Sequence, residues 1–267
     1  MNKTDRFPPA AIFGMICFAA AAVLFFIHPY LAAGVLFLFV AVCLAAAFLP
    51  GTGLFLQVTR AGSRDLKSVA LTFDDGPDPS TTPYLLDLLA RCNVCACFFV
   101  TGMRAETYPE LIKKILSSGH SIGNHTYSHD VFVMLKSKKT LAREIDAAQE
   151  VLKTFGVRPL AFRPPAGVVN PRLGPLLDQR KMFCIHYSCR GFDIGNRRIS
   201  GLSRRILKKI RPGDIVLLHD THPGSSDFRV ETWLAEIENL LSGIERKGLC
   251  IRPLSGLVNR PVMALEK

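Results

Sequence analysis

The N-terminal part of the sequence lacks charge. Of the 267 residues, none between Phe7 and Thr59 is Asp, Glu, Lys or Arg, although the whole chain has a formal net charge of +11. The mean hydropathy of +0.24 is high for that charge, so one local apolar segment must raise it. The rest of the sequence has no internal repeat and no low-complexity linker. This composition excludes a disordered chain, a collagen-like repeat and a small disulfide-stapled module.

The uncharged segment contains two apolar runs, residues 10–27 and 31–49, which are separated by His28, Pro29 and Tyr30. Each run is close to the roughly 17–25 residues that a membrane-spanning helix needs. We interpret residues 1–50 as a membrane anchor formed by a hairpin of two transmembrane helices. A single kinked span is the alternative. A cleavable signal peptide fits less well, because its apolar core is only about 7–15 residues long.

Basic residues flank the anchor on both sides. Lys3 and Arg6 precede it, Arg60, Arg64 and Lys67 follow it, and the turn between the runs has neither Lys nor Arg. The positive-inside rule then predicts that both flanks, and the following domain with them, face the cytoplasm. A single span would instead place that domain outside the membrane, so the number of spans decides the compartment.

The cysteines include one closely spaced pair, Cys92 and Cys95. Such a pair occurs in metal and redox sites, but a second paired motif is missing. Because Cys95 and Cys97 run into the apolar residues 98–100, we interpret these cysteines as small core residues in a reducing compartment.

Residues 51–67 are predicted to form a linker, and residues 68–267 a globular domain in which short apolar runs alternate with helical patterns. The predicted strands are 68–73, 95–100, 120–123, 160–162, 183–187 and 214–218. The predicted helices are 83–91, 108–118, 138–155 and 231–246. A strand followed by a helix, repeated about seven times, predicts an α/β fold with a parallel sheet closed or nearly closed into a barrel. In such folds, functional residues gather at the carboxyl ends of the strands.

The first two motifs that follow predicted strands carry potential metal ligands. Asp74 and Asp75 stand at a buried strand end, where one carboxylate can bind a cation and the other can act as a base. His125 and His129 have a known metal-ligand spacing, and a carboxylate such as Asp75 would complete a catalytic site with open positions for water. The alternatives are a turn with solvated acids and two solvated histidines.

The other two motifs carry an arginine and a histidine. Arg163 is followed by two prolines, so its guanidinium can be held rigidly beside a carboxylate, and the next turn exposes backbone N–H groups. The apolar run 214–218 ends at His219, where a general acid would lie, and Asp193 is a candidate to keep that imidazole protonated. The alternatives are a proline-stiffened loop and a capped strand with a structural histidine.

Together and in this order, the four motifs resemble those of the polysaccharide deacetylase family, also known as the NodB-homology domain or carbohydrate esterase family four. The resemblance runs from about residue 68 to residue 250 and includes the connecting residues Thr82-Pro83, Leu85-Leu86, Phe98-Phe99-Val100 and Gly102. It implies a distorted (β/α) barrel for residues 68–267. It also implies a hydrolase that removes N-acetyl groups from amino sugars with a divalent metal, usually zinc.

The resemblance implies roles for the residues of the first three motifs. Asp74 would be the general base. Asp75, His125 and His129 would bind the metal. Arg163 would pair with the Asp74 carboxylate.

The resemblance also assigns the rest of the site. Asp193 would support His219 as the general acid, Leu217 would line the acetyl pocket, and the backbone N–H of Ala166 would help to hold the oxyanion. The family usually has Tyr where Ala166 stands and Trp where Ile194 stands. These two departures place the substrate in doubt, not the reaction.

Seven basic residues are crowded into the segment 197–211 and interleave with apolar ones; they are Arg197, Arg198, Arg204, Arg205, Lys208, Lys209 and Arg211. The pattern predicts an amphipathic helix whose basic face contacts anionic lipids of the bilayer. A solvated helix is the alternative. No recognition motif accompanies the charge, so we do not expect a nucleic-acid partner.

The sequence therefore predicts a deacetylase of an N-acetylated amino sugar, anchored in a bacterial inner membrane. With the domain in the cytoplasm, the substrate would be a lipid-linked saccharide or a glycolipid. With the domain outside, peptidoglycan or another surface polysaccharide becomes the better candidate. Two further alternatives are a deformylase of a lipid-linked sugar and a catalytically silent glycan-binding module.

Overall fold

The computed structural model describes residues 9–266. Lys3 and Arg6, on which the predicted orientation depends, lie outside the described residues. The strands are β1 Val58–Thr59, β2 Ser68–Asp74, β3 Cys97–Val100, β4 Ser121–Asn124, β5 Val157–Pro159, β6 Ala161–Phe162, β7 Phe183–Ile185, β8 Cys189–Arg190, β9 Ile215–His219, β10 Cys250–Ile251 and β11 Met263–Leu265. The helices are α1 Pro9–Phe25, α2 Pro29–Phe48, α3 Thr82–Arg91, α4 Gly102–Thr107, α5 Pro109–Ser117, α6 Lys138–Lys153, α7 Leu173–Gln179, α8 Leu202–Leu207, α9 Val230–Arg246 and α10 Leu254–Val258.

Eight strands form one curled sheet in the order β1-β7-β6-β4-β3-β2-β9-β8, in which every neighbouring pair is parallel. β10 adds to β2 beside this path, and β11 pairs with β5 in a separate antiparallel ribbon. The main sheet ends at β1 and β8, so the barrel stays open. The predicted α/β fold and distorted barrel are confirmed.

The central strand β2 shows why the sheet is parallel and covered on both faces. All seven of its residues are buried, as expected for a strand of a parallel sheet that is covered on both faces. Its even-numbered and odd-numbered side chains point into different apolar clusters, with Ala70 in one and Leu71 and Phe73 in the other. Trp233, the single tryptophan, is fully buried on α9 against the second of these clusters.

Several predicted elements differ from the observed ones in extent. Of the predicted strand 160–162, only Ala161–Phe162 is a strand, namely β6. Leu160 lies between β5 and β6, where the N–H groups of Leu160 and Ala161 both donate to the carbonyl of Val262 as the chain passes from the ribbon into the main sheet. Helices α4, α7 and α10 and the strands β1, β5, β8, β10 and β11 were not predicted. They are too short to show a hydrophobic period.

The predicted amphipathic helix over 197–211 is wrong in extent, since only Leu202–Leu207 is helical. Gly201 precedes this helix with a left-handed φ of 66°, and Pro212 lies beyond its end, so the helical conformation cannot run across the basic segment. Leu202 and Ile206 are buried against the domain.

The apolar N-terminal segment forms two helices, α1 of 17 residues and α2 of 20. They pack against each other through Phe39, whose ring centroid lies 5.7 Å from that of Phe13 and 5.6 Å from that of Phe18. Within residues 9–266, α2 is the one helix both long and apolar enough to cross a membrane. Many large apolar side chains of this segment are exposed, up to 88 % for Phe26. The two-span hairpin therefore stays a prediction.

The predicted linker 51–67 is packed onto the domain rather than free of it. Val58 and Thr59 form β1 and extend the main sheet through β7. The N–H of Gly62 donates to the carbonyl of Gly213, and the N–H of Val169 donates to the carbonyl of Ala47 at the end of α2. Backbone hydrogen bonds thus tie both the linker and the second apolar helix to the domain.

All eight cysteines are free. Cys97 is buried in β3, as the interpretation of core residues requires, but Cys92 is exposed just after α3. Cys92 is therefore not a core residue. It caps the end of a helix, where the chain turns at the surface.

Candidate active site

The carboxyl ends of four strands meet at one edge of the sheet. Asp74, the last residue of β2, is the register partner of His219 in β9. Asn124, the last residue of β4, is the partner of Phe162 in β6. The residues that follow these strand ends therefore lie side by side. All nine residues predicted for the site line one cavity of about 570 Å³ at this edge; they are Asp74, Asp75, His125, His129, Arg163, Ala166, Asp193, Leu217 and His219.

Asp75, His125 and His129 form the one cluster of potential metal ligands within residues 9–266, and their ligand atoms all lie within 4.8 Å of one another. Oδ1 of Asp75 is 3.3 Å from Nε2 of His125 and 3.0 Å from Nε2 of His129. Two imidazole nitrogens and one carboxylate oxygen are a donor set that suits zinc and similar divalent ions.

The tautomer of His125 fits a metal ligand. Its Nδ1 lies 2.7 Å from the backbone carbonyl oxygen of Arg163, which only accepts hydrogen bonds, so Nδ1 carries the proton. Nε2 is then left with a lone pair that points toward Asp75 and His129. Such a second hydrogen bond orients metal-binding histidines in proteins.

The backbone around the three ligands has an unusual conformation. Asp75 and His129 have positive φ angles of 74° and 55°, in a region that residues other than glycine rarely adopt. The loop between the histidines is held from α6, because Glu144 accepts hydrogen bonds from the backbone N–H groups of Tyr127 and Ser128. Strained backbone at a site persists only where the surrounding structure fixes it in this way.

The charges of the cluster are balanced against burial. Burial alone would raise the pKa of Asp75, but the adjacent imidazoles of His125 and His129 outweigh it and hold this pKa well below its usual value. Burial likewise opposes the charge on His129, and the hydrogen bond and proximity to Asp75 raise its pKa. A carboxylate that stays ionised is what a cation site requires.

Asp74 is buried beside Asp75 and pairs with Arg163. Nη1 of Arg163 donates to Oδ1 of Asp74 at 2.6 Å and to the hydroxyl of Thr72 at 2.8 Å, while Nη2 donates to the carbonyl of His186 at 2.9 Å. The guanidinium lies 4.0 Å from the centre of the Phe99 ring. Arg163 is therefore fixed on several sides and holds one oxygen of the Asp74 carboxylate.

The other oxygen of the Asp74 carboxylate points toward the cluster of potential metal ligands. Its Oδ2 lies 3.9 Å from Nε2 of His125. Because Oδ1 is occupied by Arg163, Oδ2 is the oxygen free to take a proton.

His219 and Asp193 form the second acid–base pair of the cavity. Nδ1 of His219 donates to Oδ2 of Asp193 at 2.7 Å, and the Asp193 side chain is only 2 % exposed. Burial alone would lower the pKa of His219, but the hydrogen bond to Asp193 and the nearby Asp75 and Asp74 raise it to about 9. The imidazole is thus kept protonated, which suits a general acid.

Ala166 and Leu217 complete the wall. Ala166 lies in the turn Pro165–Gly167 with a φ of 55°, so its backbone is left-handed at the cavity. Leu217 precedes His219 by two residues on β9, and both side chains therefore lie on the cavity face of that strand. Both residues thus line the cavity, and their roles as a backbone donor and as an apolar pocket residue stay predictions.

Some residues that support the site were not predicted. Glu144 fixes the histidine loop from the polar side of α6, and the buried Asp220 accepts hydrogen bonds from the hydroxyls of Thr81 and Thr82. Burial raises the pKa of Asp220 to about 7. A carboxylate on an otherwise ordinary helix face gives no signal in the sequence, because its partners are backbone groups of a distant loop.

A second cavity, of about 600 Å³, opens at the amino ends of β3 and β4. Its lining includes His120 and Arg260 but no acidic side chain from the described part of the chain. The nine residues predicted for the site are all at the other end of the strands, so this cavity is separate from the site.

Residues 61–182 match the family model described as polysaccharide deacetylase. A peptidoglycan-N-acetylglucosamine deacetylase of Bacillus cereus is 35 % identical over 186 residues, which cover 68 % of this chain and 84 % of that protein. A chitooligosaccharide deacetylase of Sinorhizobium fredii is 31 % identical over 210 residues, which cover 75 % of this chain and 96 % of that protein.

Solved structures agree with these relatives. A crystal structure of a peptidoglycan N-acetylglucosamine deacetylase bound to 4-naphthalen-1-yl-N-oxidanyl-benzamide has a TM-score of 0.70 and 29 % identity, covering 79 % of this chain and 95 % of the other. A family 4 carbohydrate esterase of Streptomyces lividans in complex with acetate has a TM-score of 0.62 and 27 % identity, covering 73 % and 97 %. The relatives are named as deacetylases of peptidoglycan and of chitooligosaccharides.

Proposed function

Because this chain belongs to the polysaccharide deacetylase family and is a carbohydrate N-deacetylase, we propose that it removes N-acetyl groups from amino sugars of peptidoglycan or a related surface polysaccharide. The observation that carries the proposal is the juxtaposition of the Asp75–His125–His129 cluster with the Asp74–Arg163 and Asp193–His219 pairs in one cavity.

We assign the metal to Asp75, His125 and His129. When bound there, a divalent ion such as zinc would polarise the acetyl carbonyl and acidify a water molecule. The structure supports the assignment through the donor set and the fixed tautomer of His125.

Asp74 acts as the general base in this mechanism. Its Oδ2 takes the proton of the attacking water, while Arg163 holds Oδ1 and keeps the carboxylate aimed at the cavity. The backbone N–H of Ala166 donates to the oxygen on which negative charge develops, an interaction worth about 3–4 kcal/mol in comparable sites.

His219 acts as the general acid. An amine leaves only after its nitrogen is protonated, and the imidazolium held by Asp193 supplies that proton. Leu217 provides the apolar surface against which the acetyl methyl group packs.

The substrate proposal favours an external catalytic domain. Peptidoglycan lies outside the cytoplasmic membrane, and the names of the relatives give no support to a domain in the cytoplasm. One helix, α2, is long and apolar enough to span a membrane, and a single span would place the domain outside.

Acetate release tests the activity. We expect the metal-loaded protein to release acetate from an N-acetylglucosamine oligomer and from peptidoglycan, and a chelator to stop this release. An N-formyl analogue of the oligomer serves as a control for deformylation. Faster formate than acetate release would overturn the deacetylase assignment, and no release of either would support a silent glycan-binding module.

A reporter fused after Lys267 tests the topology. We expect alkaline phosphatase fused at this position to be active and a cytoplasmic fluorescent reporter to be dark. The opposite result would place the domain inside the cell and restore a lipid-linked saccharide as the substrate.

A further inference from the structure

One wall of the catalytic cavity carries positive charge that nothing in the described chain neutralises. Inside the cavity, Arg163 is paired with Asp74 and His219 with Asp193. Arg190 and Arg197 line the same cavity, and neither forms an ion pair with an acidic side chain of residues 9–266. We call these two arginines the basic wall.

Aromatic groups hold Arg190 in place without cancelling its charge. Its Nη1 donates to the hydroxyl of Tyr187 at 3.0 Å, and its guanidinium carbon lies 4.2 Å from the centre of the Phe192 ring and 5.5 Å from that of Tyr187. A guanidinium has five N–H donors, so most of them remain available. Contacts with ring faces orient a cation and leave it positive.

A third cation lies against the same aromatic ring, although it does not itself line the cavity. The ammonium of Lys209 lies 4.8 Å from the centre of the Phe192 ring. A single aromatic side chain therefore has both an arginine and a lysine against it. Since like charges repel, this arrangement indicates that the surface is suited to receive a negative group.

The sheet register places Arg190 next to Leu217 and close to His219. In β8, Arg190 is the parallel partner of Leu217 in β9, and Leu217 precedes His219 by two residues. Partner residues of neighbouring strands project to the same face, as do residues two apart. Arg190 therefore lies beside the residues proposed to hold the acetyl group and to protonate the nitrogen.

The loop after β8 offers an apolar surface beside these charges. Phe192 is 45 % exposed and Ile194 is 61 % exposed, and both line the cavity. Their backbones are left-handed, with φ angles of 55° and 53°, which is strained for a β-branched residue such as Ile194. An exposed ring and aliphatic group of this kind suit the face of a sugar.

We propose that the basic wall binds an anionic group, a carboxylate or a phosphate, that the amino-sugar substrate carries close to its N-acetyl group. The planar guanidinium of Arg190 matches both anions, which accept two parallel N–H hydrogen bonds. This inference rests on the proposed deacetylase function and narrows its substrate class: it favours an acidic amino-sugar glycan over a neutral oligomer of N-acetylglucosamine.

The experiment compares matched neutral and anionic substrates. The probes are a disaccharide of N-acetylglucosamine and N-acetylmuramic acid, the methyl ester of that disaccharide, and N-acetylglucosamine disaccharide with and without a terminal phosphate. We expect kcat/KM to be about ten-fold higher for an acid than for its neutral counterpart at low salt, and this preference to shrink as salt is added.

Two variants locate the preference. Arg190→Gln should remove it, whereas Arg204→Gln, which changes an exposed arginine of α8 outside the cavity, should retain it. A preference for the carboxylate identifies a muramyl glycan as the source of the anion, and a preference for the phosphate identifies a lipid-linked type of sugar. Equal kcat/KM for all four probes would overturn the inference.

Binding separates this inference from the proposed function. Calorimetric titration of the same probes into Asp74→Asn, a variant that should bind without turnover, measures the preference directly. If the acids bind more tightly but the unmodified protein releases no acetate, the basic wall is supported and the proposed deacetylase function is contradicted. Equal binding of acids and neutral probes would overturn the basic wall whatever the turnover.

Discussion

Asp193 accepts a hydrogen bond from Nδ1 of His219 at 2.7 Å, although the two residues are 26 positions apart in the chain. The contact joins the loop after β8 to the end of β9 and fixes which imidazole nitrogen faces the substrate. Because Nδ1 is bound to the carboxylate, Nε2 is the nitrogen that can give its proton to a leaving amine.

Replacing Asp193 should shift the pH dependence of the reaction. Burial opposes the charge on His219, and Asp193, Asp75 and Asp74 raise its pKa to about 9, so a general acid at this position is lost only as the pH rises through that range. In Asp193→Asn the pKa falls, and we expect the basic limb of the kcat profile to move to lower pH by about one unit or more.

The control for this shift is the acidic limb of the same profile, which depends on other groups and should move less. Initial acetate-release rates between pH 5 and pH 10 measure both limbs. An unchanged basic limb in Asp193→Asn would show that His219 is not the group that titrates there.

Substitution of Asp74 and substitution of the adjacent Asp75 should impair the reaction in different ways. Asp74→Asn removes the base but leaves the three ligand atoms in place, so we expect loss of about 10²–10⁴-fold in kcat with the metal retained. Asp75→Asn weakens the ligand set itself, and we expect the metal to be lost. Elemental analysis of the purified variants, together with kcat, distinguishes the two. Full turnover by Asp74→Asn would contradict the mechanism.

Glu144 should control metal affinity without touching the metal. It accepts hydrogen bonds from the N–H groups of Tyr127 and Ser128, which lie between the two histidines. Its loss therefore frees the loop that holds His129 in its left-handed conformation. We expect Glu144→Ala to bind Zn²⁺ about 10–100-fold more weakly. Titration of zinc into metal-free protein measures this change. Glu150→Ala, an exposed carboxylate on the same helix, is the matched control and should bind zinc normally.

Arg205 should position Asp193 without contacting it, by holding the loop that carries Asp193. Its Nε donates to the carbonyl of Gly191 and its Nη2 to that of Arg198, both at 2.6 Å, and the N–H of Arg198 donates to the carbonyl of Asp193 at 2.8 Å. Arg205→Met keeps the aliphatic stem but loses these donors. We expect kcat to fall and the basic limb to move in the same direction as in Asp193→Asn.

A purely structural role for Arg205 would lower the melting temperature and the amount of active protein but leave the pH profile in place. Arg205→Lys, which retains a charged donor, should restore part of the profile. Arg204→Met is the neighbouring control, and we expect it to resemble the unmodified protein in both measurements.

The sequence was sufficient to predict the fold class and nine of the residues that line the cavity. It was sufficient because each motif is local: Asp74 and Asp75 are adjacent, His125 and His129 are four positions apart, and each motif follows a run of apolar residues. A parallel sheet then brings the ends of its strands to one edge, so that no long-range information is needed.

The sequence was not sufficient to predict how these residues are held. Glu144 and Arg205 form hydrogen bonds with backbone N–H groups and carbonyls of other segments. Because every residue has these backbone groups, the residue types in the sequence do not reveal such partners. The basic segment around Arg205 has the apolar spacing of one long helix, but only Leu202–Leu207 is helical, after a left-handed Gly201. Tertiary contacts decided these features.

The left-handed backbone at Ile194 in the cavity lowers the stability of the folded enzyme but places an apolar side chain beside the substrate site. Ile194 at a φ of 53° carries a conformation that glycine would adopt freely, so Ile194→Gly would relieve strain in the folded state. A laboratory selection for heat resistance alone would favour glycine at such positions. It would thereby remove the apolar side chains beside Arg190 and Arg197. Engineering of this enzyme for durability therefore has to select for turnover in the same round.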